Sequence, residues 1–91
     1  LDAYARAQAT ALNRALTPAE SAVADGRTDA ATVLAAALAE LAAAGIEPEY
    51  VELRSPDDLH ALEAVEGPSL LALAARVGRA RLIDNRILEP A

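Results

Sequence analysis

The sequence contains no cysteine, methionine, phenylalanine or tryptophan. Without cysteine, neither a disulfide framework nor a thiolate metal site can form. Tyr4 and Tyr50 are the only aromatic residues, so the core must consist of Leu, Ile, Val and Ala. Such an aliphatic core suits close-packed helices and a small sheet, and it is poorly suited to a deep, aromatic-lined ligand pocket.

Long apolar runs are also missing. No window approaches the ~20 apolar residues of a membrane span, and no charged-then-apolar leader precedes the first helical pattern. These absences predict a chain that does not enter a membrane and that works in the cytoplasm. Because methionine is absent, we also expect that Leu1 is not the biological start and that the chain is part of a longer protein.

The composition that remains describes one small acidic domain, residues 1–91. Of the 91 residues, 54% are hydrophobic, 25 are alanine, and the net charge is −6. Residues 47–66 hold one arginine against seven acids, and every cation in the chain is arginine. Nucleic acid is a poor partner for such a chain, because phosphate binding depends on clusters of Lys and Arg.

Two helices are predicted in the first half. The first runs from Leu1 to about Gly26, with an apolar stripe and a kink or break at Pro18. The second begins at Thr28 or Asp29, either of which can cap it, and ends at Gly45. The predicted apolar stripe of the first helix is Leu12, Leu16, Ala19 and Val23, and that of the second is Leu34, Leu38, Leu41 and Ala42.

The second half predicts a sheet. Residues 49–54 alternate as a strand, with Val51 and Leu53 on one face and polar residues on the other. Ser55 followed by Pro56 and two acids is a helix-start signal, so we expect a short helix to about Glu63. Residues 69–77 fit a helix face and a strand face equally well. Residues 81–84 look like a strand that follows a turn near Gly78.

Together these patterns predict an α+β fold. Two main helices pack on a small three-stranded, mostly antiparallel sheet, provided that residues 69–77 form a strand.

Residues that could carry acid–base or metal chemistry are sparse. His60 is the single histidine, so no histidine pair can bind a metal, and we interpret His60 as a solvated or capping residue. Asp57 and Asp58 fit the first turn of a helix, where the dipole favours acids. There is no glycine-rich phosphate loop and no Ser/His/Asp arrangement. We therefore assign no catalytic residue and no metal ligand to this chain.

Three motifs carry a family resemblance. Tyr50-Val51-Glu52-Leu53-Arg54 resembles the Tyr-(Val/Leu)-Glu-Leu-Arg strand of pantothenate synthetase (pantoate–β-alanine ligase) C-terminal domains. Residues 70–85, ending in Arg81-Leu82-Ile83-Asp84-Asn85, are similar to the closing segment of that family, although Ala80 replaces its usual threonine. The opening helix looks like the one that follows the family's Met-Ser-Ser-Arg-Asn signature. The resemblance covers nearly the whole chain and favours strand for residues 69–77.

The resemblance implies a two-step ligase that uses ATP and magnesium. Pantoate would be adenylated and then condensed with β-alanine to give pantothenate. This chain would be the C-terminal cover of the active site, and its main partner would be the missing N-terminal nucleotide-binding domain. We expect the isolated chain to fold, to bind no cofactor tightly and to be inactive, and a homodimer of the full enzyme remains an open expectation.

Arg76, Arg79 and Arg81 crowd the predicted hairpin in an otherwise acidic chain. Arginine suits oxygen anions because its guanidinium presents a fork of donors. One hypothesis is that one of these arginines approaches the nucleotide when the cover closes. The alternative is that they pair with acids of the middle segment or coat the surface. A different class of function also stays open, namely a free-standing acidic interaction module without catalytic activity.

Overall fold

The fold is two helices on one face of a three-stranded sheet, as the sequence predicts. A computed structural model describes residues 3–77 and 79–90. Along the chain come α1 (Ala3–Ala24), α2 (Ala30–Ala43), β1 (Pro48–Arg54), β2 (Ser69–Val77) and β3 (Ala80–Leu88). The strands lie in the order β1-β2-β3, and both pairings are antiparallel. The segment with ambiguous periodicity is therefore the central strand, and Gly78, where a turn was expected, lies outside the described residues.

Helix α1 runs through Pro18 without a break. Proline lacks an N–H and so leaves a carbonyl of the preceding turn without its helical donor. Arg86 on β3 supports this turn: its guanidinium donates to Thr17 Oγ1 at 3.2 Å, Glu20 Oε1 at 3.4 Å and the Asn13 carbonyl at 3.5 Å. A strand side chain thus joins the proline-containing turn to the sheet, so the predicted interruption does not divide the helix.

The buried stripe of α1 confirms the sequence pattern. All four predicted residues are buried, at 0–1% exposure. Alanines on the same face are small enough to let α1 approach both α2 and the sheet closely. The buried residues of the helix are Ala5, Leu12, Ala15, Leu16, Ala19, Ala22 and Val23.

Helix α2 begins at the predicted cap. The Asp29 side chain accepts hydrogen bonds from Thr32 N at 2.9 Å and Thr32 Oγ1 at 2.7 Å. These bonds hold the pKa of Asp29 below its ordinary value. Gly45 follows the helix with φ +73°, a left-handed conformation that glycine adopts without strain.

The predicted core stripe of α2 was right at Leu41 and in part at Leu34, which packs half-buried against the core, and wrong at Leu38 and Ala42. Val33, Ala37 and Leu41 are fully buried, whereas Leu38 is 44% exposed. Ala42 is also exposed, and Leu34 is half-buried. An alanine-rich helix is apolar on several faces, so the sequence pattern could not choose among them. The observed stripe is spaced every fourth residue, and it is the stripe that meets α1 and β1.

The expected short helix after β1 is also absent; Pro56, Asp57 and Asp58 form a turn. Side chains here bond nearby backbone groups instead of starting a helix. Ser55 Oγ accepts from Asp57 N at 3.2 Å, and Asp58 Oδ1 accepts from His60 N at 3.1 Å. Leu59 then takes a positive φ of 64°, which a continuing helix does not permit.

The segment after this turn covers the outer edge of β1. Leu62 N donates to the Leu53 carbonyl at 3.0 Å, and Val65 N donates to the Thr28 carbonyl at 2.8 Å. The loop therefore joins the sheet edge to the start of α2. The helices cover one face of the sheet, and this loop covers the β1 edge. A ligand or partner can therefore approach the sheet on its open face.

Candidate functional site

The three candidate arginines meet at the end of the β2–β3 hairpin. Arg76 on β2 lies directly opposite Arg81 on β3, and Val77 lies opposite Ala80. Directly opposite residues of an antiparallel pair point to the same face, so Arg76 and Arg81 share the sheet face that the helices leave open. Arg79 follows at the tip of the hairpin and is exposed. The hairpin thus gathers three cations at one end of an acidic domain.

Arg81 is held within its own domain. Its Nε donates to Glu49 Oε1 at 2.9 Å, and its guanidinium carbon lies 5.8 Å from the centroid of the Tyr50 ring. Both partners belong to the β1 side of the sheet, so the Arg81 side chain reaches across β2. An ion pair and a ring contact together leave this guanidinium fewer donors for an external ligand.

Arg76 and Arg79 have no ion-pair partner within residues 3–77 and 79–90. Both are exposed. A cation directly opposite another on neighbouring strands is unfavourable unless an anion or an acid compensates it. Arg81 has its acid in Glu49, whereas Arg76 and Arg79 keep all their donors available. Arg81 thus pairs with an acid of the middle segment, and Arg76 and Arg79 lie on the surface, as the alternative of acid pairing or surface placement predicted.

A recess of about 260 Å³ lies beside Arg76. Its walls come from the start of α1, the turn between α2 and β1, and the end of β2. The residues that line it are Tyr4, Gln8, Gly45, Ile46, Glu47, Arg76 and Val77. Hydroxyl, amide, carboxylate and guanidinium groups thus converge at the end of the domain where α1 begins. Arg76 is the only cation among these lining residues.

A second recess, of about 330 Å³, lies on the open face of the sheet and is lined by Tyr50, Glu52, Arg54, Leu59, Leu70 and Ala72. Arg54 pairs with Glu52 within it. Sequence reasoning missed this recess because it placed Leu59 in a helix. The alternation of β1 was the signal available, since it predicted that Tyr50, Glu52 and Arg54 share a face.

His60 and Asp58 form an exposed pair joined through Nδ1 and Oδ1. The His60 hydrogen bonds hold the pKa of Asp58 below its ordinary value. The pair stabilises the turn after β1, in agreement with the structural role that the sequence suggested. Within residues 3–77 and 79–90, no three His, Asp or Glu side chains come together as a metal site would require.

Asp84 and Asn85 lie in the middle of β3. Asp84 Oδ2 accepts from Asn13 Nδ2 of α1 at 3.1 Å, and Asp84 Oδ1 accepts from the Asn85 backbone N–H at 2.8 Å. Asp84 therefore joins helix to strand and also occupies a backbone donor of β3.

Comparison with known proteins identifies the domain. A family model described as pantoate-beta-alanine ligase matches residues 1–87. The chain belongs to the pantoate-beta-alanine ligase family. Pantothenate synthetase of Desulfatibacillum aliphaticivorans is 43% identical over 86 residues, which are 93% of this chain and 31% of that protein. Pantothenate synthetase 4 of Frankia alni is 51% identical over 86 residues, or 93% of this chain and 27% of that protein.

The fold of the family is the same. The crystal structure of pantothenate synthetase from Thermus thermophilus superposes with a TM-score of 0.89 at 28% identity. The match covers 99% of this chain and 33% of that one. The chain thus spans about a third of the length of the pantoate-beta-alanine ligases that it matches. No helix of the described residues is long and apolar enough to cross a membrane.

Proposed function

We propose that this chain is the C-terminal cover domain of a cytoplasmic, ATP-dependent pantoate–β-alanine ligase, whose nucleotide-binding domain precedes it. The observation that carries the proposal is the family match over residues 1–87 together with the small share of each relative that the chain spans. A domain that spans about a third of its relatives fits a covering role better than an independent active site.

The proposed reaction has two steps. A carboxylate oxygen of pantoate attacks the α-phosphorus of ATP, and pyrophosphate leaves to give pantoyl adenylate. The amine of β-alanine then attacks the acyl carbon, AMP leaves, and the amine loses a proton as the amide forms. Water competes with the amine for the acyl carbon. A cover that excludes water therefore protects the intermediate and strengthens the electrostatic interactions around it.

Among the three arginines, Arg76 and Arg79 are the ones we assign to the nucleotide. Their guanidinium groups are exposed and unpaired within the described residues, whereas Arg81 is held by Glu49 and Tyr50. Tyr4 at the start of α1 and Arg76 line the same recess. A domain joined ahead of α1 would therefore lie next to the end of the sheet that carries the unpaired cations. Phosphate oxygens are the anions that a guanidinium fork suits best.

Magnesium belongs elsewhere in the proposed enzyme. Mg²⁺ is bound through carboxylates and substrate phosphates, and the described residues of this chain bring no three acidic or histidine side chains together. We propose that the ion binds with the ATP phosphates, and we assign no residue of this chain to it.

Steady-state kinetics of the full-length parent enzyme test the arginine assignment. Arg76→Ala and Arg79→Ala should each raise KM for ATP or lower kcat by roughly tenfold, the usual effect of losing a charge-assisted hydrogen bond. Arg27→Ala is the matched control, because Arg27 is also exposed but lies at the opposite end of α1. Unchanged ATP kinetics in both hairpin variants would remove these residues from the site.

A second experiment tests the covering role itself. Pure 91-residue chain should form no pantothenate from pantoate, β-alanine and ATP. In the full enzyme, loosening the cover should increase ATP consumption relative to pantothenate formed, because water then reaches the adenylate. Pantothenate formation by the chain alone would contradict the proposal.

A further inference from the structure

A bulge in β1 brings two consecutive side chains to one arginine. The register between β1 and β2 shifts between Pro48 and Tyr50: these residues are two apart on β1, and their partners on β2 are adjacent. In a regular strand, Glu49 and Tyr50 would point to opposite faces of the sheet. Here both contact Arg81, Glu49 through a hydrogen bond of 2.9 Å and Tyr50 through its ring. The bulge therefore redirects Glu49 toward the open face, as bulges beside functional sites commonly redirect a side chain.

Arg81 reaches β1 because the residue beneath its side chain is small. Arg81 lies on β3 and its two partners lie on β1, so the side chain crosses β2. Ala74 lies on the open face of β2, opposite Tyr50 on one side and Ile83 on the other. It is fully buried although both helices pack on the other face, so side chains of the flanking strands cover it. A larger residue at this position would stand in the path of the guanidinium.

The contact between Glu49 and Arg81 also sets how many cations the hairpin offers to a ligand. Arg76 lies directly opposite Arg81, so without Glu49 the two guanidinium groups would share one end of the open face. Pairing with Glu49 draws Arg81 toward β1 and compensates its charge. Among the described residues, Arg76 and Arg79 are exposed and have no acid partner. The hairpin thus presents two free cations where its sequence supplies three.

We propose that Glu49 is a positioning residue for phosphate binding: it holds Arg81 away from Arg76 and so limits how tightly the hairpin binds a phosphate chain. The proposal rests on the assignment of Arg76 and Arg79 to the nucleotide. ATP and the pyrophosphate that leaves it are both polyanions, so a third free guanidinium would strengthen the binding of substrate and product alike. Tighter binding of both does not lower the barrier of the chemical step, and it slows release of the product. Glu49 therefore favours release of pyrophosphate.

Titration of the 91-residue chain with inorganic pyrophosphate, followed through the NMR signals of its arginine side chains, tests the proposal. Glu49→Gln frees Arg81 and should lower the dissociation constant for pyrophosphate by roughly tenfold, the effect of one further charge-assisted hydrogen bond. Glu49→Asp keeps the carboxylate and should bind pyrophosphate about as the wild type does. Unchanged or weaker binding in Glu49→Gln would overturn the proposal.

Glu52→Gln is the matched control for the loss of one negative charge. Glu52 is another acid on the open face of β1, and it pairs with Arg54, away from the hairpin. The side chains of Glu49 and Glu52 are similarly exposed, at 40% and 36%. Because Glu52→Gln leaves Arg81 paired, it should leave pyrophosphate binding unchanged. Equal tightening in both variants would show that net charge alone is responsible, against the proposal.

A double variant separates the freed arginine from the lost carboxylate. Glu49→Gln combined with Arg81→Gln removes one charge of each sign, so the net charge stays at −6. Without a guanidinium at position 81, the dissociation constant for pyrophosphate should return to that of the wild type. Tight binding that persists in the double variant would mean that Arg81 is not the added cation, and the proposal would fail.

Kinetics of the full-length parent enzyme add a readout that a structural defect would not give. Glu49→Gln should lower KM for ATP and the inhibition constant for pyrophosphate together, without raising kcat. If Glu49 served only to hold the sheet together, its loss would instead raise KM or lower kcat alone. A raised or unchanged KM in Glu49→Gln therefore counts against a positioning role.

The result for Glu49 can be separated from the result for the nucleotide assignment. If Arg76→Ala and Arg79→Ala leave ATP kinetics unchanged while Glu49→Gln tightens pyrophosphate binding to the chain, the assignment fails and the effect of Glu49 on anion binding stands. If the two arginine variants impair ATP kinetics but Glu49→Gln does not tighten pyrophosphate binding, the assignment stands and the role of Glu49 is lost.

Discussion

The two faces of the sheet are made from the same three strands but differ in what they do. On the face toward the helices, Leu71 and Leu73 are fully buried against an aliphatic core. On the open face, Ile83 is 56% exposed, and Arg81 pairs with Glu49 at the surface. The closed face therefore supplies the stability of the domain. The open face and its hairpin contribute fewer buried side chains, and they carry the arginines assigned to the nucleotide.

The largest losses of stability should come from substitutions in the core between the helices and the sheet. Leu41 and Leu38 lie on the same helix, at 0% and 44% exposure. Leu41→Ala removes packed side-chain atoms and should lower the free energy of unfolding by about 2–5 kcal/mol. Leu38→Ala should change it by less than about 1 kcal/mol. Urea denaturation of the two variants measures the difference, and similar losses would mean that the helix is rotated from the position described above.

A smaller effect is expected where β3 supports α1. Arg86→Ala removes the donors to Thr17, Glu20 and the Asn13 carbonyl, and it should cost about 1–2 kcal/mol of unfolding free energy. Arg86→Met is the control, because it retains the aliphatic stem and loses only the donors. Thermal denaturation of both variants separates the two contributions. Equal stability of Arg86→Met and the wild type would show that the hydrogen bonds contribute nothing.

Loss of an ion pair on the open face should lower the unfolding free energy less than the changes described above. Glu49→Gln removes the acid that holds Arg81. Exposed ion pairs contribute little, so the unfolding free energy should fall by less than about 1 kcal/mol. A larger loss, measured by urea denaturation, would show that the open face helps to hold the sheet together.

Acid titration should show the smallest effect, and it tests the two carboxyls whose pKa values are lowered in the folded chain. The pKa values of Asp29 and Asp58 are lowered in the folded chain from an ordinary value of 3.8. Their stabilisation is therefore complete above pH 3.8 and is lost as pH falls through the lower folded pKa values. In Asp29→Asn the cap remains but no longer titrates. The melting temperature of this variant should depend less on pH below 3.8 than that of the wild type.

Some elements could be predicted from the sequence and others could not, and the reasons are physical. The stripe of α1 could be predicted because large aliphatic residues recur on one face only. The stripe of α2 could not, because alanines make several faces apolar. The helix signal at Ser55 failed because the same polar residues can also close a turn by bonding the nearby backbone. For the site, the arginine cluster was visible in the sequence, but which arginine has a partner was not.

By itself, the sequence determined the stripe of α1, the start of α2 at Thr28 or Asp29, and the family resemblance that favoured the strand on which the fold class depends, since these rest on local patterning and on motifs within the chain. Only the tertiary structure decided that residues 69–77 form the central strand, that among the described residues Arg81, and not Arg76 or Arg79, has an acid partner, and that the loop after β1 covers the outer edge of that strand. The physical reason is how far apart along the chain the interacting residues lie. Capping and periodicity act over a few residues, whereas these outcomes depend on groups 32 residues apart, such as Glu49 and Arg81, or 71 apart, such as Asn13 and Asp84.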